Sequence, residues 1–205
     1  MGQCVKCGQE TEKEDHDYCR KCFYELKKGG LTSAIDEAPI QGGLSERELV
    51  YRQNMIKARI AETLVEELFL SLGWNVFRYG MENTIPGVMN LLQGVRSDVA
   101  DNIRRMPDFV VQDKNRNVFF IEVKFRASEE FNLKNLGEDY PYDNAYIVLV
   151  SKKHIKCITV AELRAGEEIT PNTRNYLGYR KEFGLDKDAI ISFCAFANKF
   201  FENVE

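Results

Sequence analysis

Residues 107–124 contain two short runs rich in β-branched and aromatic residues, Pro107-Asp108-Phe109-Val110-Val111-Gln112 and Val118-Phe119-Phe120-Ile121-Glu122-Val123-Lys124. The polar stretch Asp113–Asn117 separates them, so the segment predicts an antiparallel hairpin. With Asn115-Arg116-Asn117 as a three-residue loop and Asn117 in the left-handed position, Asp108 falls opposite Lys124. Phe109, Val111, Phe119, Ile121 and Val123 then share one apolar face, while Asp108, Glu122 and Lys124 share the other. A register slip of one residue would put Asp108 on the apolar face, which burial forbids. The hydrophobic pattern therefore gathers two carboxylates and an amine on one side of a β-ribbon.

Two close carboxylates repel and are costly unless a cation lies between them. Oxygen donors suit Mg²⁺ or Mn²⁺, which keep several waters and also bind phosphate. Asp108 and Glu122 are thus candidate metal ligands, with the Val123 carbonyl between the two strand side chains as a further one. Lys124 is a compact cation able to orient a water or stabilise charge developing on phosphorus. The bland alternative is an ion pair across a surface hairpin, worth little.

Elsewhere the pattern outlines an α/β domain over residues 45–205. Ser45-Glu46-Arg47-Glu48 fits a capping box, and Ile56, Ile60, Leu64, Leu68 and Leu72 recur at helical spacing until Gly73. Glu62 falls at the border of that apolar stripe, either snorkelling outward or aimed at a site, with Glu66 and Glu67 further toward solvent. Residues 74–79, 146–150 and 155–160 read as further strands, 89–104 as a helix, and 187–203 as a last helix capped by Asp186, with Ile190, Ile191, Phe193, Phe196 and Phe200 as its apolar residues. Cys157 and Cys194 sit alone in apolar runs and are expected in the core.

The other four of the six cysteines fall early: Cys4, Cys7, Cys19 and Cys22, in two C-x2-C pairs separated by eleven residues. Two such turns complete a four-thiolate Zn²⁺ site. Segment 1–30 has few large apolar residues, so zinc would supply its folding energy. The alternatives are a redox motif or chance clustering, and His16 is a competing ligand. Residues 31–44, with Pro39 and Gly42-Gly43, have linker composition.

Of the 205 residues, 28 are Lys or Arg and 32 are Asp or Glu, a formal net charge of −4. Binding to nucleic acid would therefore depend on local patches. Candidates are Arg78, Arg104, Arg105, Lys114, Arg116 and Arg126, with Lys152 and Lys153 on a later loop and Lys6, Arg20, Lys21 and Lys27 in the first module. That module balances six basic against six acidic residues, and phosphate binding and protein contact remain equal readings of it. No apolar run is long enough to span a membrane, and no basic stretch leads into an apolar one, so a soluble cytoplasmic protein is expected.

Pro107-Asp108, thirteen residues, then Glu122-Val123-Lys124 resembles the signature of the PD-(D/E)xK nuclease superfamily. The upstream helix carrying Glu62 and the strand after Gly73 resemble that family's first core elements, and the likeness covers about residues 45–160. No Gln and Tyr follow Glu122-x-Lys124 as in the RecB-like branch. The resemblance implies a restriction-endonuclease-like core, a central mixed β-sheet flanked by helices, and Mg²⁺- or Mn²⁺-dependent phosphodiester hydrolysis. It implies Asp108 and Glu122 as metal ligands, Lys124 as the catalytic lysine and Glu62 as an auxiliary carboxylate. The expected protein is an endonuclease acting on DNA, including structure-specific or Holliday-junction-resolving forms, and a homodimer if it cuts duplex. The alternative is a non-catalytic nucleic-acid-binding or assembly protein on the same scaffold, with zinc as the recognition element.

Overall fold

The computed structural model describes residues 44–80, 87 and 91–202. The four early cysteines, His16 and the linker lie outside the described residues. Of the two units into which the chain divides, the described residues fall almost wholly in the second, Glu48–Glu205.

Five strands form one mixed sheet in chain order: β1 (Asn75–Arg78), β2 (Phe109–Gln112), β3 (Val118–Phe125), β4 (Ala145–Val150) and β5 (Ile155–Thr159). All neighbours are antiparallel except β3 and β4, which run parallel. A parallel pair needs a crossover. Here the connection carries the one-turn helix Leu133–Leu136, whose Asn132 cap is built into a capping box.

The first helix, α1 (Glu46–Ser71), carries Ala61, Leu64, Val65, Leu68 and Phe69 into the core. Gly73 stops it at φ 76°, a conformation costly for a residue with a Cβ. This buried stripe meets Phe109, Val111, Ile121 and Val123, with Phe119 partly buried, so the apolar face expected of the hairpin is the face that packs. Phe69 also stands edge-to-face with Trp74, ring centroids 5.2 Å apart. The opposite face of the sheet is covered too. Ile147, Leu149 and Ile158 pack there with Phe131, Tyr140, Leu163 and Ile169, and Phe120 stands half-buried against them. The result is an α/β fold whose sheet is buried on both faces at β4, β5 and the middle of β3, while the edge strand β1 is largely exposed.

The hairpin register differs from expectation by two residues. Phe109 pairs with Ile121 and Gln112 with Val118, so Glu122 lies opposite Asp108 instead of Lys124. The turn is the reason. Asp113 Oδ1 accepts from the backbone N–H of both Asn115 and Asn117, at 2.8 Å each, and the amide of Asn117 donates to Oδ2. This Asx geometry makes Lys114-Asn115-Arg116 the loop, with Arg116, not Asn117, left-handed at φ 68°. A shift of two preserves the side-chain period, so the division into faces survives.

Other expectations change in detail. The helix expected over 89–104 is, among the described residues, a short α2 (Asp98–Arg104) started by the Ser97 side chain. A five-residue helix, Val160–Arg164, and a 3₁₀ turn, Leu177–Tyr179, were not expected. The last helix, Lys187–Phe201, buries Ile190, Ala197 and Phe201, while Ile191, Phe196 and Phe200 are exposed. It meets the core along one narrow seam, so a count of apolar residues overstates its buried face. Cys157 is fully buried and Cys194 half-buried, both as free thiols. The Asp186 cap is present: its carboxylate accepts from Ala189 N at 2.8 Å. Asp186→Ala should cost about 1 kcal/mol and lower Tm by a few degrees in a thermal melt.

Candidate active site

The site lies on the second face of the sheet, at the end of the hairpin away from its turn. Glu122 and Lys124 alternate with Ile121 and Val123 along β3, so the two polar side chains project together into the layer opposite α1. Asp108 immediately precedes β2 and is fixed from three sides. Its carbonyl accepts from Tyr79 N at 2.8 Å and Gly80 N at 3.2 Å. Its carboxylate Oδ2 accepts from Val123 N at 2.7 Å. Glu122 accepts from the Lys124 ammonium.

Asp108, Glu122 and Lys124 line one cleft of about 400 Å³, together with Gly80, Arg104, Arg105, Met106, Asn135, Leu136 and Tyr140. Gly80 passes close to Asp108: a Cβ there would stand in ordinary contact, 3.9 Å, with Asp108 Oδ1. A second groove, of about 580 Å³, runs between α1 and the last helix. Its lining is mainly aliphatic and aromatic, so the groups able to do chemistry converge in the first.

The electrostatics follow from burial. The Glu122 side chain is only 10% exposed. Burial pushes its carboxyl up to about 7; Lys124 pulls it down and the Asp108 charge pushes it further up. Burial alone would lower the Lys124 ammonium, but Glu122 and then Asp108 outweigh that and hold it above its ordinary value. The amine therefore stays charged at neutral pH. A carboxyl this reluctant to ionise next to another is a natural place for a cation to displace a proton.

The donor set fits a hard divalent ion. Two carboxylates from neighbouring strands suffice for Mg²⁺, which retains water in its remaining positions. Among the described residues no group of three or more His, Cys, Asp or Glu side chains converges as a metal cage. Thiol or imidazole ligation of the Zn²⁺ type is not the chemistry of this cleft.

Glu62 sits elsewhere. It is half-buried on α1, the helix that packs on the opposite face of the sheet, and it does not line the cleft. Its neighbourhood is that of Arg78. Glu66, expected near solvent, has a side chain only 18% exposed and forms an ion pair with that guanidinium. The ion pair with Glu66 first, then the charges of Glu62 and Asp108, hold Arg78 above its ordinary range against the opposing effect of burial. Arg78 thus links the helix carboxylates to Asp108 round the edge of the sheet. The spacing of Glu66 four residues after Glu62 was the available signal for this arrangement.

The basic residues divide likewise. Arg104 and Arg105 both line the cleft. Arg104 donates to the carbonyls of Leu92 and Val95, both at 2.6 Å, and to Asp101 at 2.7 Å. Arg105 pairs with Asp139 at 2.5 Å. Arg126, beyond Lys124, donates to its neighbouring carbonyl of Phe125. Lys114 and Arg116 belong to the hairpin turn at the far end of the strands, away from the cluster. Lys152 and Lys153 lie in the turn between β4 and β5. Sequence reasoning missed Tyr140, Gly80 and Asn135, whose connecting segments carry no periodicity. Among the described residues no helix is long and apolar enough to cross a membrane. No model of a known protein family matches this chain, and no curated protein matches it.

Proposed function

We propose that the Asp108–Glu122–Lys124 cleft is the active site of a metal-dependent nuclease, most naturally a DNA endonuclease, built on a restriction-endonuclease-like core. One observation carries the reading: two carboxylates from adjacent strands and a charged lysine share a polar cleft, and one carboxyl is held near neutrality by its burial. A structural ion pair needs one carboxylate, not two, and gains little from a cleft.

Asp108 and Glu122 would hold one Mg²⁺ or Mn²⁺, with the Val123 carbonyl as a further candidate donor. Such an ion polarises a phosphate oxygen and lowers the pKa of water. The residues themselves do the rest. The Val123 N–H orients the Asp108 carboxylate. Lys124 supplies a positive charge where negative charge grows in the transition state. Arg105 and Arg104 are the cations lining the cleft, each paired with a carboxylate, Asp139 and Asp101, that a nucleic-acid phosphate would have to share or displace. Glu62 acts on this site as an auxiliary carboxylate through Arg78, and Glu62→Gln should lower activity less than any change to the three cleft residues. Cutting both strands of a duplex together would favour two copies of the chain.

The test is incubation with duplex, branched and single-stranded DNA and with RNA, in Mg²⁺, Mn²⁺ or EDTA. Metal-dependent cleavage of DNA substrates supports the reading. Tight binding without cleavage under every condition would leave the non-catalytic assembly protein ahead.

The N-terminal module is proposed as a structural Zn²⁺ site of Cys4, Cys7, Cys19 and Cys22. Metal analysis of the full chain should find one zinc ion per chain, lost in Cys19→Ser. Full retention by that variant would contradict the assignment.

A further inference from the structure

A pocket of about 330 Å³ lies at the β5 edge of the sheet, apart from the cleft. Its size falls within the usual range of ligand pockets, about 300–1,000 Å³. Two aromatic rings, Tyr176 and Tyr179, line it together with three cations, Arg174, Arg180 and Lys181. Two carboxylates, Glu162 and Glu182, line it as well, and both stand against one of those cations. Arg180 donates through two nitrogens to Glu162 and lies 3.8 Å from Glu182. Arg174 and Lys181 are exposed and have no hydrogen-bond or ion-pair partner among the described residues. The arginines of the cleft are each tied to a carboxylate, whereas these two cations are open to an anion.

The rings are carried on an anchored turn. The Asn175 carbonyl accepts from Cys157 N at 2.6 Å, and Tyr176 bridges Lys156 of β5. The backbone N–H groups of Tyr179 and Arg180 close the 3₁₀ turn on the carbonyls of Tyr176 and Leu177, at 2.9 and 3.1 Å. Leu177 is fully buried beneath it, and a Cβ on Gly178 would come within 3.3 Å of Ile190 Cδ1 in the last helix. The same turn leaves Tyr179 57% exposed. Its ring meets Tyr176 edge-on, centroids 5.5 Å apart, and the exposed Lys187 ammonium at 5.2 Å. An exposed tyrosine by itself needs no explanation. An exposed ring on a fixed turn, between unpaired cations and beside a pocket, is a surface for a ligand that is flat, apolar and attached to negative charge.

We propose that this pocket holds an unpaired nucleotide of a single-stranded nucleic acid, its base stacked on Tyr179 and its flanking phosphates held by Arg174 and Lys181. Every base has a π-face, so such a site takes a strand without reading its sequence. A duplex offers no free base face to the ring. The sheet places the pocket within reach of the cleft. Lys124 pairs with Leu149, Leu149 with Lys156 and Lys156 with Tyr176, three strand spacings or about 14 Å in all. A few nucleotides of one strand span that distance. The proposal deepens the nuclease reading and rests on it for the strand's role as substrate, which would then carry a single-stranded stretch next to the bond that is cut.

The test measures binding of a fluorescein-labelled oligothymidylate to the full chain by anisotropy in EDTA, so that neither metal nor cleavage enters. Wild type should bind it more tightly than a blunt duplex of the same length and more tightly than free thymidine monophosphate. Tyr179→Ala should weaken binding about tenfold, while Tyr179→Phe, which keeps the stacking face, should not. Replacing both Arg174 and Lys181 by Ala should flatten the dependence of log affinity on log salt by about 1.4, about 0.7 for each phosphate contact on a single strand. Tyr51→Ala, at an aromatic 65% exposed on α1, should bind as wild type does. Full affinity in Tyr179→Ala, or equal affinity of wild type for duplex and single strand, overturns the proposal. So does thymidine monophosphate bound as tightly as the strand, which would make this a mononucleotide pocket. An oligoglutamate bound as tightly as the strand overturns it too, in favour of an acidic protein partner. Should Tyr179→Ala melt early, the exposed cation pair carries the test, and an unchanged salt slope overturns the proposal. The nuclease reading fails separately. Wild type that binds as expected but cuts nothing leaves a single-strand site without hydrolysis. Wild type that cuts, with Tyr179→Ala equal to it in affinity, removes only the role of this pocket.

Discussion

Lys124→Ala is expected to lower the rate of phosphodiester cleavage on the order of 10²–10³-fold, with nucleic-acid affinity changed only a few-fold. Asp108 and Glu122 can still hold metal in that variant, so what is lost is a charge acting on the developing transition state. Removing one such preorganised electrostatic contact has an effect of this size, and it falls on rate more than on ground-state binding. Single-turnover cleavage alongside equilibrium binding in Ca²⁺ separates the two. A Lys124→Ala protein that binds far more weakly but cuts normally once saturated would assign the amine to substrate capture instead. Lys124→Arg should not restore the wild-type rate, because a planar, forked guanidinium does not reproduce a compact ammonium held against Glu122.

The second large effect is in pH. Burial holds the Glu122 carboxyl at about 7, above its ordinary value of 4.5. Metal must displace the proton, so apparent Mg²⁺ affinity should climb about tenfold per pH unit up to about pH 7 and level off above it. The metal-free protein has the opposite trend. A carboxyl whose pKa is raised by folding contributes stability that is fully present below about 4.5 and is lost as pH rises through about 7. In EDTA, wild type should therefore lose Tm between pH 5 and 8 relative to Glu122→Gln, which has no proton to release there. Calorimetric Mg²⁺ titrations at several pH values, with melts of both proteins, check the two slopes. Mg²⁺ affinity that is flat across this window would show that Glu122 is not a ligand.

The parts of this account that sequence could show are those with a period. Alternation along residues 107–124 put Phe109, Val111, Ile121 and Val123 on the core face and Asp108, Glu122 and Lys124 on the other, and the sheet packs that way. Helical spacing located α1 and its stop at Gly73. The register was not legible, because the Asp113 carboxylate chooses the turn through side-chain hydrogen bonds that a face-matching argument cannot see. The error was even in residues and so left the cluster intact. Glu62 is half-buried at the border of the apolar stripe of α1, as its helix angle predicts, and its charge and that of Asp108 both act on Arg78 at the sheet edge. The helix angle alone could not show that link, because it depends on how α1 packs on the sheet. Tyr140 was invisible for a third reason: it lies in a loop, positioned by Gly137 and Arg164, with no pattern to mark it. The segment that carries the four early cysteines, read as a zinc module, lies outside the described residues.

Side-by-side cleavage by wild type and Asp108→Ala, prepared identically and assayed on duplex, branched and single-stranded DNA in Mg²⁺, tests the central claim most directly. The account predicts cutting by wild type that EDTA abolishes, and none by Asp108→Ala, whose affinity in EDTA should match or exceed wild type because a carboxylate near the phosphate is gone. Cutting that persists unchanged in Asp108→Ala, or wild type that cuts none of these substrates in Mg²⁺ or Mn²⁺, would contradict it.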